Sequence, residues 1–336
     1  MDERDGRVAA LPCCFGWIRE TYGFVDEAPL DMLWNSPGAQ RIRGLIASGR
    51  QDEICDRHCK YLTSGLFSEA AWAGRVIDGS AAFVANQELN EREILERRTV
   101  LRSRPVMMKV LTNFECNIRC VMCFQKHFGD AGHGEGFWQQ IEAHLPFVHE
   151  VIFQGGEATI DPGFRAFLAG EALRNNSHVG VGLITNGTVL DAALQRAVGE
   201  IRMQFVSVSI NAADALTYRA IAGRDSFARV VENCRRWAAL AAHHPRGSFP
   251  IYASFVVMRR NVAELADFVR LVAEIGARPR LQMLIGDAEQ GNILLRPELH
   301  DELRRALDAA ERVAGEEALR EISLLRNQLP AGIGVA

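Results

Sequence analysis

Residues 114–124 read Phe-Glu-Cys-Asn-Ile-Arg-Cys-Val-Met-Cys-Phe, which places Cys116, Cys120 and Cys123 at C-x3-C-x2-C spacing. A strand-like run, Val106 to Leu111, comes just before, so the three thiols are expected on a loop leaving the end of a strand. Such a tight group captures one face of a metal centre. A structural zinc site is normally closed by four protein ligands, whereas three thiolates leave one metal position open for a ligand that reacts.

Downstream of Pro105, strand and helix signals alternate. Strand-sized apolar runs occupy Val106 to Leu111, Val148 to Phe153, Val179 to Ile184, Phe205 to Ile210, Ile251 to Met258 and Arg280 to Ile285. Helical spacing separates them: Phe137/Ile141/Leu145, Phe164/Phe167/Leu168, Leu190/Leu194/Val198, Phe227/Val230/Val231/Cys234 and Leu265/Phe268/Val269/Val272. A last helix, opened by Pro297, carries Leu303 and Leu307. The alternation predicts an α/β fold, a partial (β/α)6 TIM-like barrel with helices outside a parallel sheet and ligands at the C-terminal strand ends. Upstream lies a small cysteine-containing segment. The expected organisation is 1–62 for that segment, 63–104 for a helical connector, 105–312 for the barrel, and 313–336 for a C-terminal helix and tail.

Composition is that of an ordinary globular chain, with 336 residues, 48% hydrophobic and 24% charged. A net charge of -4 supplies no global basic field, so neither a nucleic acid nor a membrane surface is an expected partner. The basic run Arg97, Arg98, Arg102 and Arg104 reads as a solvated helix face, because Glu91, Glu93 and Glu96 precede it by about a turn. Apolar runs are strand-sized and Met1-Asp-Glu-Arg-Asp is too polar for a signal peptide. Eight cysteines in such a chain point to metal or catalysis rather than disulfides, and the expected compartment is the reducing cytoplasm.

At the end of the second barrel strand comes Gln154-Gly155-Gly156-Glu157. Glycines there let backbone approach a ligand, and a glutamate can pair with an ammonium group. Falling one βα unit after the three-cysteine loop, this motif makes the chain resemble the radical S-adenosylmethionine (radical SAM) superfamily over Pro105 to about Arg312. The resemblance implies a [4Fe-4S] cluster on Cys116, Cys120 and Cys123, with Gly155, Gly156 and Glu157 at the methionine end of S-adenosylmethionine. It implies an enzyme of oxidoreductase or isomerase/epimerase type that makes a 5′-deoxyadenosyl radical and abstracts a substrate hydrogen. An electron donor such as a flavodoxin or ferredoxin is implied as partner. Family members often carry an aromatic residue before the third cysteine; this chain has Met122 there and Phe124 just after, so Phe124 is the adenine candidate. Thr185-Asn186-Gly187 looks like the family's Thr-Asn-Gly, and Ser209 and Asn211 stand where relatives have Ser-x-Asp. Ser207 shares their face, while Ser254, Met258 and Gln282 on later strands are open between lining the site and packing.

Three further features are weighed. Cys234, a candidate hydrogen donor to a substrate radical, falls on an apolar helix stripe and reads first as core. His127 and His133 lie in or beside a glycine-rich loop, Gly129 to Gly136, which lacks the Gly-Lys-Ser/Thr ending of a phosphate-binding loop. In the N-terminal segment, Cys13 and Cys14, then Leu33-Trp34-Asn35-Ser36, then Cys55 and Cys59, are similar to part of a SPASM or twitch auxiliary-cluster domain. That module usually follows the barrel and here precedes it. Its thiols are open between a second iron-sulfur cluster, a zinc knuckle including His58, and inert buried sulfurs. The substrate expected is a small metabolite or sugar, with a peptide as alternative; a non-catalytic metal-binding or assembly protein is the reading from another class.

Overall fold

The computed structural model describes residues 8–13, 18, 20–55, 79–123, 133–285 and 291–329. Contacts divide the chain into two compact units: Met1–Val110 with Phe128–Ile152 and Pro162–Gly180, and Leu111–His127 with Phe153–Asp161 and Val181–Ala336.

In the first unit, β1 (Ala9–Ala10) and β2 (Gly23–Phe24) pair antiparallel, ahead of α1 (Leu30–Leu33) and α2 (Pro37–Ala47). Ser36 starts α2 by accepting the Ala39 N–H, with Pro37 in the first turn where a missing N–H costs nothing. Tyr22, Leu33, Ala39, Ile42, Leu45 and Ile54 form one apolar core. Arg43 lies 4.4 Å from the Trp34 ring centre and 5.4 Å from that of Tyr22. Next comes α3 (Ala81–Leu95), and the strap after it is fastened to the N-terminal segment. Trp34 Nε1 donates to the Ser103 carbonyl at 2.6 Å, and Asn35 Oδ1 accepts the Leu101 N–H at 2.9 Å. Buried Glu93 accepts the N–H groups of Arg102 and Ser103 at 2.7 and 3.0 Å. The same unit includes α4 (Glu135–His144), α5 (Pro162–Ala169) and α6 (Ala172–Asn175).

The main sheet has six strands in sequential order: β3 (Met107–Leu111), β4 (Glu150–Gln154), β5 (Gly180–Thr185), β6 (Met203–Ser209), β7 (Ile251–Val257) and β8 (Arg278–Met283). The pairs β5–β6, β6–β7 and β7–β8 are parallel. Parallel neighbours in sequential order need a crossover each time, which is the winding of a barrel; here the sheet stays open. In the second unit the crossovers are α7 (Ala192–Gly199), α8 (Ala215–Ala222), α9 (Phe227–Ala242) and α10 (Leu265–Ile275), followed by α11 (His300–Glu311) and α12 (Glu316–Arg326). All six expected strands are present, with ends displaced by at most two or three residues. Helix α8 lies in a stretch for which no helical spacing is expected; Asp214 starts it by accepting the Leu216 and Thr217 N–H groups.

Alternation along the strands sorts side chains by face. Val206, Val208, Ala253, Phe255 and Val257 are buried, with Phe255 packed on Phe268 of α10 at 4.6 Å between ring centres. Ser207, Ser209 and Ser254 take the opposite face, and the Ser207 and Ser254 hydroxyls are 2.7 Å apart.

Candidate functional site

Leaving β3, the chain enters the cysteine loop, whose backbone is bonded on two sides. Toward α8, the Arg119 and Val121 N–H groups donate to the Ala222 and Ile221 carbonyls at 2.8 and 2.9 Å. Arg224 adds a 2.6 Å bond to the Asn117 carbonyl. Val121 and Met122 pack against Ile221, Met258 and Leu284, so Met258 supports the loop from below. Cys116, Cys120 and Cys123 are each half-buried, and a turn closes from the Cys123 N–H to the Cys120 carbonyl at 3.1 Å. Burial pushes the Cys120 thiol up to about 12, with Cys123 and Cys116 adding to it. Cys116 is raised as well, by burial first, against the Ile118 N–H and the Asn186 amide, which favour its thiolate.

On the other side, the loop is backed by Gly155-Gly156-Glu157. The Gly156 and Glu157 N–H groups donate to the Asn113 and Glu115 carbonyls at 2.9 and 2.8 Å. A Cβ on Gly156 would stand 2.0 Å from the Glu115 oxygen, and one on Gly155 2.8 Å from the Asn113 oxygen. The two glycines therefore let two stretches of backbone touch directly beneath Cys116. Glu157 is buried and fully engaged on one oxygen: Oε1 accepts Thr159 N–H at 3.0 Å, Thr159 Oγ1 at 2.6 Å and Thr185 Oγ1 at 2.7 Å. Its Oε2 takes the Asn186 N–H at 2.6 Å.

Asn186 carries this brace to the thiols. Its Nδ2 donates to Cys116 Sγ at 3.6 Å and to Asn117 Oδ1 at 2.8 Å. Its Oδ1 accepts the Thr188 N–H at 2.9 Å and the Thr188 hydroxyl at 2.6 Å, and Asn117 Nδ2 returns to Thr188 Oγ1 at 2.8 Å. Gly187, at φ 73°, makes the turn between Asn186 and Thr188.

Residues 110–272 match the sequence profile of the radical SAM superfamily, a span that includes every contact just described. The chain carries a radical SAM domain. The cofactors of that family are a [4Fe-4S] cluster and S-adenosylmethionine, and three thiols on one loop are the donor type that the first takes. Among the described residues, no group of three His, Cys, Asp or Glu side chains is close enough to hold a single metal ion.

The chain is 29% identical over 185 residues to mycofactocin maturase MftC from Mycobacterium tuberculosis, covering 54% of this chain and 45% of that one. It is 24% identical over 234 residues to a probable GTP 3',8-cyclase from Saccharolobus islandicus, covering 67% and 71%. It thus spans under half of the maturase's length. In fold it is similar to Streptococcus suis SuiB in a crystal structure with the precursor peptide SuiA, at a TM-score of 0.53, 15% identity, and coverage of 83% and 61%.

The remaining residues fall around the domain as follows. Ser209 is half-buried at the end of β6, and its hydroxyl makes no hydrogen bond to a described residue. Asn211, at φ 61°, accepts the Val256 N–H at 2.8 Å with Oδ1, and its carbonyl accepts Asn261 Nδ2 at 2.8 Å, so its side chain ties β6 to the end of β7. Gln282 is half-buried on β8. Cys234 is fully buried on the apolar face of α9, where burial pushes its thiol up to about 12. Cys13 is exposed; Cys55 is half-buried beside the first unit's core and bridges to Ile18. His133 stacks on Phe137 at 3.7 Å. Cys14, His58, Cys59, Phe124 and His127 lie outside the described residues. Sequence reasoning passed over Asn117, Thr159 and Thr188. The visible signal was Cys-Asn at 116–117 facing Asn-Gly-Thr at 186–188, side chains that bond neighbouring backbone readily.

No helix among the described residues is long and apolar enough to cross a membrane.

Proposed function

We propose that the chain is a radical SAM enzyme that cleaves S-adenosylmethionine reductively and abstracts a hydrogen atom from a small metabolite or sugar. The observation that carries this is the three-thiol loop, fixed on one side by α8 and on the other by Gly155-Gly156-Glu157. Cys116, Cys120 and Cys123 hold the cluster, leaving one iron for the cofactor's amino and carboxylate groups. When bound, cluster and cofactor together supply a 5′-deoxyadenosyl radical. The protein's part is to orient and enclose. Ser209 offers an uncommitted hydroxyl at a strand end, and Glu157 Oε2 has acceptor capacity left. Phe124, Gly155, Gly156, Thr185 and Asn211 complete the proposed cofactor set. An external donor such as a flavodoxin or ferredoxin provides the electron, and the reducing cytoplasm is the matching compartment.

The small-molecule reading is supported by the match to a GTP 3',8-cyclase over 71% of that relative. A peptide substrate is the second reading, favoured by the match to mycofactocin maturase. In the first unit we assign Cys13, Cys14, Cys55 and Cys59 to an auxiliary iron-sulfur cluster in a SPASM/twitch-like segment, supported by their spacing in the sequence. Anaerobic reconstitution tests the whole reading. About eight irons per chain, four for each cubane, with 5′-deoxyadenosine formed on adding dithionite and S-adenosylmethionine, is the expected result. A colourless protein carrying stoichiometric zinc and cleaving nothing overturns it.

A further inference from the structure

Asn186 is a cofactor candidate by its Thr-Asn-Gly motif, yet its side chain is already spent. A carboxamide has two N–H donors and an oxygen with two lone pairs. In Asn186 all four are used: the donors by Cys116 Sγ and Asn117 Oδ1, the oxygen by the Thr188 N–H and hydroxyl. The orientation of the amide follows from chemistry, since a backbone N–H only donates and so requires the oxygen to face Thr188. Nδ2 is thereby aimed at Cys116. The ring of bonds is directed all the way round, from Asn117 Nδ2 to Thr188 Oγ1, from there to Asn186 Oδ1, and from Asn186 Nδ2 back to Asn117 Oδ1. Below it, Glu157 holds the Asn186 N–H and the Thr185 hydroxyl, fixing the backbone from which the amide projects. Asn186 is only 6% exposed, so little water competes for these bonds.

We propose that Asn186 is a positioning residue that sets the reduction potential of the barrel cluster through its N–H···S bond to Cys116, rather than a ligand of S-adenosylmethionine. The inference rests on the cluster reading given above. Reduction adds negative charge to a cluster and its thiolates, and a donor pointed at one sulfur stabilises that reduced form more than the oxidised form. Losing the donor then makes the cluster harder to reduce.

The test is an EPR-monitored redox titration of reconstituted full-length protein without substrate, on samples matched for iron content. Asn186→Asp keeps an acceptor for both Thr188 groups and removes the donor to Cys116. Its reduction is expected to be disfavoured about tenfold, or about 59 mV more negative for one electron. Asn186→Ala introduces no charge and is expected to shift the same way by less. Thr188→Val loses the hydroxyl but leaves the N–H···S donor in place, and is expected within about twofold of the parent. A potential for Asn186→Asp within twofold of the parent, no shift in the uncharged Asn186→Ala, or an equal shift in Thr188→Val overturns the proposal and leaves a merely structural ring or a charge effect. A parent protein that takes up no iron at all overturns the cluster reading with it, and shows itself before any variant is compared.

Discussion

Cys116, Cys120 and Cys123 sit on a loop whose backbone is bonded to the Ile221 and Ala222 carbonyls on one side and approached by Gly156 on the other. Cys13 and Cys55 are placed differently: Cys13 is exposed, and Cys55 is joined to its surroundings by a bridge to Ile18 and packing beside Tyr22, Leu33 and Ile54. Both groups are cysteine clusters in the sequence. In the barrel, however, glycine, glutamate, asparagine and threonine from separate strand ends are all committed to holding the loop. The difference lies in what surrounds the thiols.

That contrast breaks most sharply at Gly156. Gly156→Ala places a methyl group 2.0 Å from the Glu115 carbonyl oxygen, with backbone on both sides and no flexible side chain to yield. The expected cost is about 3 kcal/mol or more, with loss of iron from the barrel site and retention of any iron in the N-terminal segment. Iron analysis with thermal unfolding checks it; unchanged melting and full iron content would mean that the close approach is unimportant.

On the N-terminal side the comparison is sharpened at Glu93, which anchors the strap after α3. Burial pushes its carboxyl up, but the Arg102 and Ser103 N–H groups, the Ser103 hydroxyl and the Arg98 charge outweigh this and hold it below its ordinary value. Glu93→Gln is expected to cost about 1.5–3 kcal/mol at neutral pH, the scale of hydrogen bonds to a charged group. A lowered folded-state pKa means stability that is full above the unfolded carboxylate pKa of about 4.3 and lost as pH falls through the folded value. The parent's advantage over Glu93→Gln should therefore vanish in acid, as denaturant titrations at neutral and acid pH will show. The smallest effect is expected at Cys234. Filling α9's fully buried stripe, it should cost about 1–2 kcal/mol as Cys234→Ala and leave 5′-deoxyadenosine formation unchanged. Loss of product-forming turnover without loss of cofactor cleavage would instead make it the hydrogen donor.

The barrel was legible because its signal is repetitive. Six apolar runs with helices between them place β3 to β8 to within a few residues. Helix α8 was not legible: Ala215–Ala222 is short and carries exposed Leu216, yet its last carbonyls bind the cysteine loop. Within the site, residue types did not show the partners that side chains choose once folded. Glu157 suggests an ammonium partner by its charge; in the fold its oxygens accept from Thr159, Thr185 and the Asn186 N–H. Asn211 suggests a polar contact and instead fastens the Val256 N–H. Apart from the local Thr159 bonds, these join residues 28 to 45 positions apart, a separation at which spacing in the sequence says nothing.

The most direct test sets the two cysteine groups side by side. Cys120→Ala and Cys55→Ala are reconstituted anaerobically, and 5′-deoxyadenosine is measured after adding dithionite and S-adenosylmethionine. Cleavage abolished in Cys120→Ala and partly retained in Cys55→Ala is the expected result under the proposed assignment of the cofactor-binding cluster to the barrel thiols. Equal loss in both variants, or cleavage surviving in Cys120→Ala, would contradict it.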